Sequence, residues 1–317
     1  MKMKCLSVIL ISLNLLTYSQ EINWQPLGKE NKVINHTYYT LSYSENHEQA
    51  EWVQYTLKSN YLNPNISRTD HFRTDPFIET RSAELIDYKG SGYDRGHLAP
   101  AADMKYNRIA MSESFYMSNM SPQSPSFNRG IWRKIEKQFR DWGYEYGELI
   151  IVTGPVLNGD YIGSIGPSQV TIPKWYYKVA LDPTNYIRNV AILIKNTGSS
   201  ENIKSFVVSI DYLEEFSGLD FFYSLPDEVE NSFESSTQIN LWDWNVTYSS
   251  KPRSNTDVNR QVVYPTDHIQ NSGNIFRTNT GKKYHSGSCR YLSKSKIPIT
   301  LAEAQERGLG PCGVCKP

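Results

Sequence analysis

Between Cys5 and Cys289 the sequence contains no cysteine, so disulfides cannot stabilise that part of the chain. A domain there must be held by its own core, and a hydrophobic content of 39% in 317 residues is sufficient for one. No internal repeat is present, which excludes a repeat architecture. The remaining cysteines, Cys289, Cys312 and Cys315, are odd in number, so disulfide pairing alone would leave one thiol over.

The sequence also lacks net charge, with 33 basic and 33 acidic residues, but the charges are unevenly distributed. Residues 205–250 contain no Lys or Arg and nine acidic residues, whereas residues 251–317 contain eleven basic and four acidic residues. An acidic surface would repel phosphate and a basic one would attract it. A nucleic-acid partner is therefore compatible with a net charge of zero.

No apolar run near the N-terminus is long enough for a membrane span. Lys2 and Lys4 precede a short apolar run, Leu6–Leu16, and small and polar residues follow it. This pattern predicts a signal peptide over residues 1–20 and a secreted or periplasmic protein without membrane contact.

Hydrophobic patterning predicts one α+β domain over residues 21–245, a polar linker over 246–274 and a small module over 275–317. The predicted strands lie at both ends of 34–57, around a turn at 44–47, and at 147–157, 175–181 and 189–195. The predicted helices lie at 112–116, at 130–142 with Asn128 as N-cap, and twice between 210 and 233.

The segment SGYDRGHLAP, Ser91–Pro100, places Arg95 and His97 on either side of a single glycine. A neighbouring cation disfavours a second positive charge, so Arg95 would keep the imidazole neutral and able to accept a proton. This arrangement suits chemistry on an anion.

A second segment, residues 118–140, combines two amides, one carboxylate and several cations. They are Asn119, Asn128, Glu136, Arg129, Arg133, Lys137 and Arg140. On a helix that begins near Asn128, the cations and Glu136 would share one broad face, with Ile131, Ile135 and Phe139 packing on the other side.

Each of these features also has a purely structural interpretation. The DRGH tetrapeptide alone would be a surface turn with an Asp–Arg pair, and Asn128 alone would be an N-cap. Glu136 alone would pair with a neighbouring cation on its own helix. Their joint occurrence at this spacing favours a functional site.

In these motifs the sequence resembles the DNA/RNA non-specific endonucleases of the ββα-metal, or His-Me finger, superfamily. The resemblance rests on DRGH, on NMSPQ, and on an Asn and a Glu eight residues apart, and it continues through TGPV, IPKWYYKV and SGLDFF. It implies a central antiparallel sheet with flanking helices and a ββα-metal finger. It also implies Mg²⁺-dependent hydrolysis of phosphodiester bonds in DNA and RNA, with Mn²⁺ as an alternative cation.

The resemblance assigns a role to each residue. His97 would be the general base that activates water, Asn128 the Mg²⁺ ligand, and Arg95 the contact to the scissile phosphate. Asn119 would position the base or the metal-bound waters by hydrogen bonds.

Three further residues complete the implied site. Glu136 would bind a metal-bound water, and Arg140 would contact phosphate. The family also uses an upstream arginine, for which Arg68 is preferred over Arg73, although the spacing does not decide between them.

The tail contains His285-x3-Cys289 and Cys312-x2-Cys315, a set of ligands that can close a tetrahedral Zn²⁺ site. It resembles a small metal-binding module that is appended to various bacterial exported proteins and nucleases. A short helix that begins after Thr300 is expected between the two ligand pairs. The alternatives are one disulfide with a free thiol, or a reduced pair without metal.

Three other functions remain open from the sequence. One is a catalytically inactive nucleic-acid-binding protein, and another is a phosphodiesterase or phosphatase of small esters. The third is a nuclease toxin with an immunity or inhibitor protein as its partner. The oligomeric state is not predicted.

Overall fold

The computed structural model describes residues 23–30, 32–62, 66–184, 188–225, 227–247, 275–287, 289–293, 295–299, 304, 307 and 309–315, without the side chains of 227–229, 232 and 298. The chain divides into two units, Met1–Ser250 and Lys251–Pro317. The predicted signal peptide and residues 248–274 of the predicted linker lie outside the described residues. Within the described ranges, no helix has the length and apolar character needed to cross a membrane.

The described part of the first unit contains eleven strands. In chain order they are β1 (Val33–Asn35), β2 (Tyr39–Ser44), β3 (Gln49–Lys58), β4 (Asp94–His97), β5 (Met120–Gln123), β6 (Glu148–Pro155), β7 (Tyr161–Ile165), β8 (Val170–Pro173), β9 (Trp175–Leu181), β10 (Asn189–Lys195) and β11 (Val207–Val208).

The helices of the first unit lie mainly between strands or after the last one. They are α1 (Leu85–Tyr88), α2 (Arg108–Glu113), α3 (Arg133–Tyr146), α4 (Ile210–Ser217) and α5 (Asp227–Glu234). Short 3-10 turns cover Ser59–Leu62, Met117–Asn119, Ile203–Phe206 and Ile239–Leu241, and a π-helical turn covers Phe127–Trp132.

A seven-stranded antiparallel sheet in the order β1-β2-β3-β6-β9-β10-β11 forms the centre of this unit. Successive side chains of a strand point to opposite faces, so both faces of its apolar strands are covered. In β9, Tyr176 and Ala180 belong to one core, while Tyr177 and Val179 belong to the other. The predicted α+β class with a central antiparallel sheet is confirmed.

Helices cover the two faces of the sheet separately. The core on one face includes Ile131, Ile135 and Phe139 from the π-helical turn and α3, as the sequence predicted. The core on the other face includes Leu213 of α4 and Phe233 of α5. The two helical layers therefore lie on opposite sides of the sheet.

Strands are predicted more accurately than helix ends. The runs at 175–181 and 189–195 are β9 and β10 without a shift. The helix expected at 112–116 is instead α2, because the side chain of Asn107 caps it by accepting hydrogen bonds from the backbone N–H of Ile109 and Ala110. The prediction of Asn128 as an N-cap is wrong, since Asn128 lies inside the π-helical turn and its N–H donates to Ser124 O.

The second unit contains a four-stranded sheet in the order β14-β12-β13-β15. Its strands are β12 (Ile275–Arg277), β13 (Lys283–Ser286), β14 (Ile297–Ile299) and β15 (Gly310–Pro311). Its apolar core is small, with Tyr284, Ile299 and Ala304 buried. The helix expected after Thr300 falls almost entirely outside the described residues.

Candidate active site

Two short strands and the helix that follows them form a ββα unit. β4 pairs antiparallel with β5, with His97 opposite Met120 and Asp94 opposite Gln123. The chain then enters the π-helical turn, where Asn128 Nδ2 donates to Oδ2 of Asp94 over 2.9 Å. The unit thus joins the histidine strand and the helix through side chains as well as through the backbone.

Hydrogen bonds also fix the ββα unit on the large sheet. Ser121 of β5 bonds to Tyr176 of β9, with 2.6 Å between the two hydroxyl oxygens, and Tyr176 donates to Pro122 O over 2.9 Å. Asn196, just after β10, donates to the same carbonyl over 2.9 Å. These contacts hold the active-site strands against the sheet.

Gly96, between Arg95 and His97, is needed because of a close approach. A Cβ atom at this position would lie 2.2–2.4 Å from the side chain of Gln123 on the paired strand. Real Cβ atoms do not come this close to other atoms, so the absence of a side chain allows Gln123 to pack across β4. Close packing, rather than backbone flexibility, explains this glycine.

His97 lies in an aromatic pocket and is only 9% exposed. Its ring centroid is 4.9 Å from that of Phe115 and 5.7 Å from that of Phe72. Its Nε2 atom is buried and has no hydrogen-bond partner among the described residues. A buried polar atom without a partner is costly, so Nε2 is suited to a water molecule or a substrate atom.

Burial, together with the positive charges of Arg68 and Arg95 and against the opposing charge of Asp70, lowers the pKa of His97 to about 3. The imidazole is therefore neutral at pH 7. The sequence attributed this neutrality to Arg95. The structure corrects the cause, because burial is the largest contribution and Arg68 contributes more than Arg95.

Asn119 is fully buried, and its side chain forms hydrogen bonds with the backbone of Ala99, two residues after His97. Its Oδ1 accepts from Ala99 N over 2.9 Å, and its Nδ2 donates to Ala99 O over 3.0 Å and to Ser114 O over 2.8 Å. These bonds fix the segment that leaves β4. Asn119 therefore holds the backbone two residues after His97, and these side-chain hydrogen bonds do not reach the imidazole.

Asp94 orients the amide of Asn128. It accepts from Nδ2 of Asn128 and forms a two-point ion pair with Arg129, at 2.8 Å from Nε and 2.5 Å from Nη2. Burial alone would raise the pKa of Asp94, but the hydrogen bonds from Arg129 and Asn128 outweigh it and lower the pKa. The carbonyl Oδ1 of Asn128 has no hydrogen-bond partner among the described residues, and a neutral carbonyl oxygen suits a hydrated hard cation.

Glu136 is half-buried on α3 and has no ion pair with its helical neighbours. Lys137 pairs with Asp141 over 2.7 Å, and Arg140 pairs with Asp103 over 2.7 Å. Burial raises the pKa of Glu136 to about 7, and the nearby positive charges of Lys178 and Arg140 act against this rise. The structural interpretation of Glu136 as one half of a helical ion pair does not apply.

The upstream arginines differ in their contacts. Arg73 donates to Ser112 O over 2.8 Å and to Ser112 Oγ over 3.0 Å, and it lies over the ring of Tyr116 at 4.1 Å. Among the described residues, Arg68 forms an ion pair with the exposed Asp70 over 2.6 Å and lies 5.0 Å from the ring centroid of Phe115, and its charge lowers the pKa of His97. Arg68 is therefore the one with a guanidinium near the base.

The other two arginines also differ in accessibility. Arg95 is exposed, and its guanidinium lies 4.2 Å from the ring centroid of Phe72. Arg140 has a side chain that is only 16% exposed, and its Nη1 is engaged by Asp103. Arg95 is thus open to an incoming phosphate, whereas Arg140 is mainly part of a buried charge network.

Lys178 of β9 is a charged residue near the site that the sequence did not indicate. It is fully buried, and its Nζ has no hydrogen-bond partner among the described residues. The ring centroids of Trp132 and Phe139 are each 5.7 Å from Nζ, which places the ammonium under the helical segment that carries Glu136. The only signal in the sequence is one lysine within the apolar run WYYKVAL.

Comparison with known proteins identifies the family. The family model for DNA/RNA non-specific endonucleases matches residues 22–228. The chain belongs to this family. It is a metal-dependent endonuclease that acts on nucleic acids, and the resemblance drawn from its motifs is confirmed.

Named relatives of the endonuclease come from bacteria and from mitochondria. A nuclease of Nostoc is 35% identical over 222 residues, which cover 66% of this chain and 80% of that protein. Human endonuclease G, mitochondrial, is 32% identical over 198 residues, covering 58% and 67%. Human nuclease EXOG, mitochondrial, is 34% identical over 205 residues and shares 56% of its own length with this chain.

A solved structure supports the same fold. The crystal structure of an EndoG/EndoGI complex matches 62% of this chain and 88% of the solved chain, with a TM-score of 0.57 and 28% sequence identity. That structure addresses the mechanism of EndoG inhibition.

The predicted secreted or periplasmic location is contradicted by these relatives. Those whose names include a location, the EXOG and endonuclease G proteins of vertebrates and nuclease 1 of Schizosaccharomyces pombe, are mitochondrial. A short apolar run after two lysines was too local a pattern to fix the compartment.

The tail of the endonuclease brings its four predicted ligands together. One ligand atom from each of His285, Cys289, Cys312 and Cys315 lies within 4.8 Å of the others. The three cysteines are free thiols, and His285 Nδ1 is 3.3 Å from Cys289 Sγ. Hydrogen bonds from the backbone of Cys315 and Val314 lower the pKa of Cys312 to about 7, which favours the thiolate that binds metals.

Proposed function

We propose that the endonuclease hydrolyses phosphodiester bonds in DNA and RNA without sequence or sugar specificity, with His97 as general base and a Mg²⁺ ion on Asn128. The observation that carries this proposal is the neutral, buried imidazole with an unpartnered Nε2, in the same ββα unit as the oriented amide of Asn128. The metal, when bound, would supply positive charge for the phosphate and for the leaving oxygen. Mn²⁺ satisfies the same oxygen donors.

His97 would take a proton from the attacking water at Nε2. A pKa of about 3 ensures that the free enzyme has a neutral imidazole, although it also makes that imidazole a weak base. An anionic phosphate bound beside His97 would raise the pKa of the imidazole, because negative charge stabilises the imidazolium. Substrate binding and base strength would thus be coupled.

Arg95 and Arg68 would stabilise the charge that develops on the phosphate. Neither guanidinium group forms a buried ion pair among the described residues, and the positive charge of each lowers the pKa of His97. Asn119 would hold the backbone after His97, so that the imidazole keeps one position.

Glu136 would bind a metal-bound water through its unpaired carboxylate, and it must be ionised to do so. Lys178 and Arg140 favour the ionised form against the effect of burial. Lys178 lies beneath the helix and would therefore act on Glu136 and not on the substrate. Arg140 is paired with Asp103, which argues for the same supporting role over direct contact with phosphate.

For the tail, we infer a structural Zn²⁺ site formed by His285, Cys289, Cys312 and Cys315. Three sulfur atoms and one imidazole nitrogen within 4.8 Å of one another fit the donor set of a closed tetrahedral site. A unit with so small a core gains much of its stability from such a metal. The corresponding domain bounds are 21–245 for the catalytic domain, 246–274 for the linker and 275–317 for the module.

The partners that follow from this function are DNA and RNA. An inhibitor protein is a further partner to test, since the matching solved structure is a complex of EndoG with its inhibitor.

The decisive experiment is incubation of supercoiled plasmid, RNA and a bis-aryl phosphate with the purified protein and Mg²⁺, with and without EDTA. Cleavage of plasmid and RNA that EDTA abolishes supports the proposal. Binding without cleavage would indicate an inactive nucleic-acid-binding protein. Cleavage of the small ester alone would indicate a phosphodiesterase.

A further inference from the structure

Acidic side chains of α4 and α5 meet on the face of the sheet opposite to the active-site helix. One carboxylate oxygen from each of Asp211, Glu214 and Glu234 lies within 4.8 Å of the others. Asp211 and Glu214 lie on one side of α4, three residues apart, and Glu234 is the last residue of α5. The cluster therefore joins two helices that pack in the same core.

Glu234 brings a buried and unpartnered carboxylate oxygen to this cluster. The residue is 5% exposed, and its Oε1 is buried without a hydrogen-bond partner among the described residues. A buried carboxylate oxygen requires a donor or a cation. Its nearest charged neighbours are carboxylates, which have no proton to offer when ionised.

Among the residues with described side chains, no cation forms an ion pair with the cluster. Residues 205–250 contain no Lys or Arg. Burial and four neighbouring acidic residues raise the pKa of Glu234 to about 9, and burial and similar neighbours raise the pKa of Glu214 to about 7.

We propose that Asp211, Glu214 and Glu234 bind a Ca²⁺ ion that links α4 to α5. Three carboxylates offer up to six oxygens, and Ca²⁺ accepts six to eight oxygen ligands in flexible geometry. Mg²⁺ suits the cluster less well, because it retains its waters and requires a regular octahedron. Glu214 would contribute mainly Oε2, since its Oε1 accepts from Phe221 N over 2.6 Å.

This site would be structural and separate from the catalytic metal. α4 and α5 pack on the opposite face of the sheet from α3, so the ion would stabilise the helical layer without contacting nucleic acid. The proposal does not depend on the proposed catalytic mechanism.

The test compares Glu234→Gln with Glu215→Gln in the full chain, after dialysis against a chelator of divalent cations and restoration of Zn²⁺. Glu215 is exposed on the same helix and lies outside the cluster, so it is the matched control. Calorimetric titration with Ca²⁺ is performed in the Asn128→Ala background, to remove the catalytic site, and the melting temperature is recorded with and without Ca²⁺.

We expect Ca²⁺ to raise the melting temperature by several degrees in the parent and in Glu215→Gln. Glu234→Gln should bind Ca²⁺ roughly tenfold more weakly or worse, because it loses one charged ligand. Without Ca²⁺ it should be at least as stable as the parent, since it has one fewer buried carboxylate.

Asp211→Asn provides a second variant, because Asp211 is exposed and its replacement does not disturb the core. It should also weaken Ca²⁺ binding. The proposal is overturned if the parent binds no Ca²⁺, or if both cluster variants retain the parent's Ca²⁺ affinity and melting shift. In proteins that retain Asn128, plasmid cleavage with Mg²⁺ at room temperature should be unchanged by Glu234→Gln and by Asp211→Asn. This result would distinguish the Ca²⁺ site from the active site.

Discussion

Asn128 donates from Nδ2 to Oδ2 of Asp94 over 2.9 Å, and this bond decides which way the amide points. The carboxylate selects the amide nitrogen, so the carbonyl oxygen of Asn128 must turn away from Asp94. Asp94 is itself held by the two-point ion pair with Arg129. The proposed metal ligand is therefore oriented before any cation binds, which reduces the ordering required on binding.

Replacement of His97 by Ala should reduce plasmid cleavage by about 10²–10⁴-fold, since it removes the general base. DNA binding, measured by fluorescence anisotropy with Ca²⁺ in place of Mg²⁺, should be nearly unchanged. His71→Ala is the control, because His71 is exposed and its side chain has no role in the site. Wild-type cleavage by a folded His97→Ala protein would contradict the assignment.

Replacement of Asn128 by Ala should raise the Mg²⁺ concentration for half-maximal cleavage by roughly tenfold or more, because the proposed protein ligand is lost. Asp94→Asn should have a smaller effect in the same direction, since it releases the orientation of the amide. Asn46→Ala, an exposed amide elsewhere, is the control. A metal titration that is the same in Asn128→Ala and in the wild type would rule out this ligand.

The low pKa of His97 predicts a pH dependence of stability. The folded imidazole stays neutral down to pH of about 3, whereas the unfolded one takes up a proton below its ordinary pKa of 6.5. The unfolded state is then favoured as the pH falls. Relative to His97→Gln, the free energy of unfolding of the wild type should fall by up to about 1.4 kcal/mol per pH unit in this window.

Denaturant titrations of both proteins between pH 3 and pH 8 measure this difference. Above pH 6.5 it should be constant, because both states of the wild type are then neutral at this residue. A difference that does not change across the window would show that burial does not depress the pKa of His97.

Replacement of Lys178 by Met removes a buried cation that favours the ionised form of Glu136. The acidic limb of the pH profile of kcat/KM should therefore move upward by roughly one pH unit. Lys178→Arg should retain most of the wild-type profile because it keeps the charge. Lys174→Met, just before the same strand, is the control, since Lys174 is exposed and pairs with Asp160.

A purely structural role of Lys178 would give a different result. It would lower the melting temperature and the activity at all pH values, without a shift of the profile. The same unshifted profile in Lys178→Met and in the wild type would therefore contradict the electrostatic role.

Elemental analysis should find one Zn²⁺ per chain in the tail, and Cys312→Ser should lose it. Ser293→Ala, an exposed position in the same unit, should retain it. A protein without zinc, in which mass spectrometry detects a Cys312–Cys315 disulfide, would support the alternative in which the tail is stabilised by oxidation.

Several features of the site were predictable because they are local in the sequence. The DRGH strand, the pair Asn128 and Glu136, and each of the two ligand pairs of the tail span no more than about eight residues of the chain. Backbone periodicity alone relates such residues, so their grouping follows from spacing. The antiparallel strands β9 and β10 were likewise visible as continuous apolar runs.

Other features depended on single hydrogen bonds or on the surroundings of one side chain, which the hydrophobic pattern does not reveal. The cap of α2 by Asn107 and the position of Asn128 inside the π-helical turn moved two helix starts, since caps depend on single hydrogen bonds. The choice between Arg68 and Arg73 required knowledge of what surrounds each guanidinium. The secreted or periplasmic location predicted from the N-terminal pattern is contradicted by the mitochondrial names of the relatives.

By itself, the sequence determined which chemical groups the endonuclease has and, through their spacing, which of them share a strand or a helix. Only the tertiary structure decided the environment of those groups: the aromatic rings that bury His97, the ion pair that orients Asn128 through Asp94, and Lys178 beneath Glu136. The physical reason is that desolvation and electrostatic fields depend on which side chains pack around a group. Those neighbours come from β-strands and loops far away in the sequence.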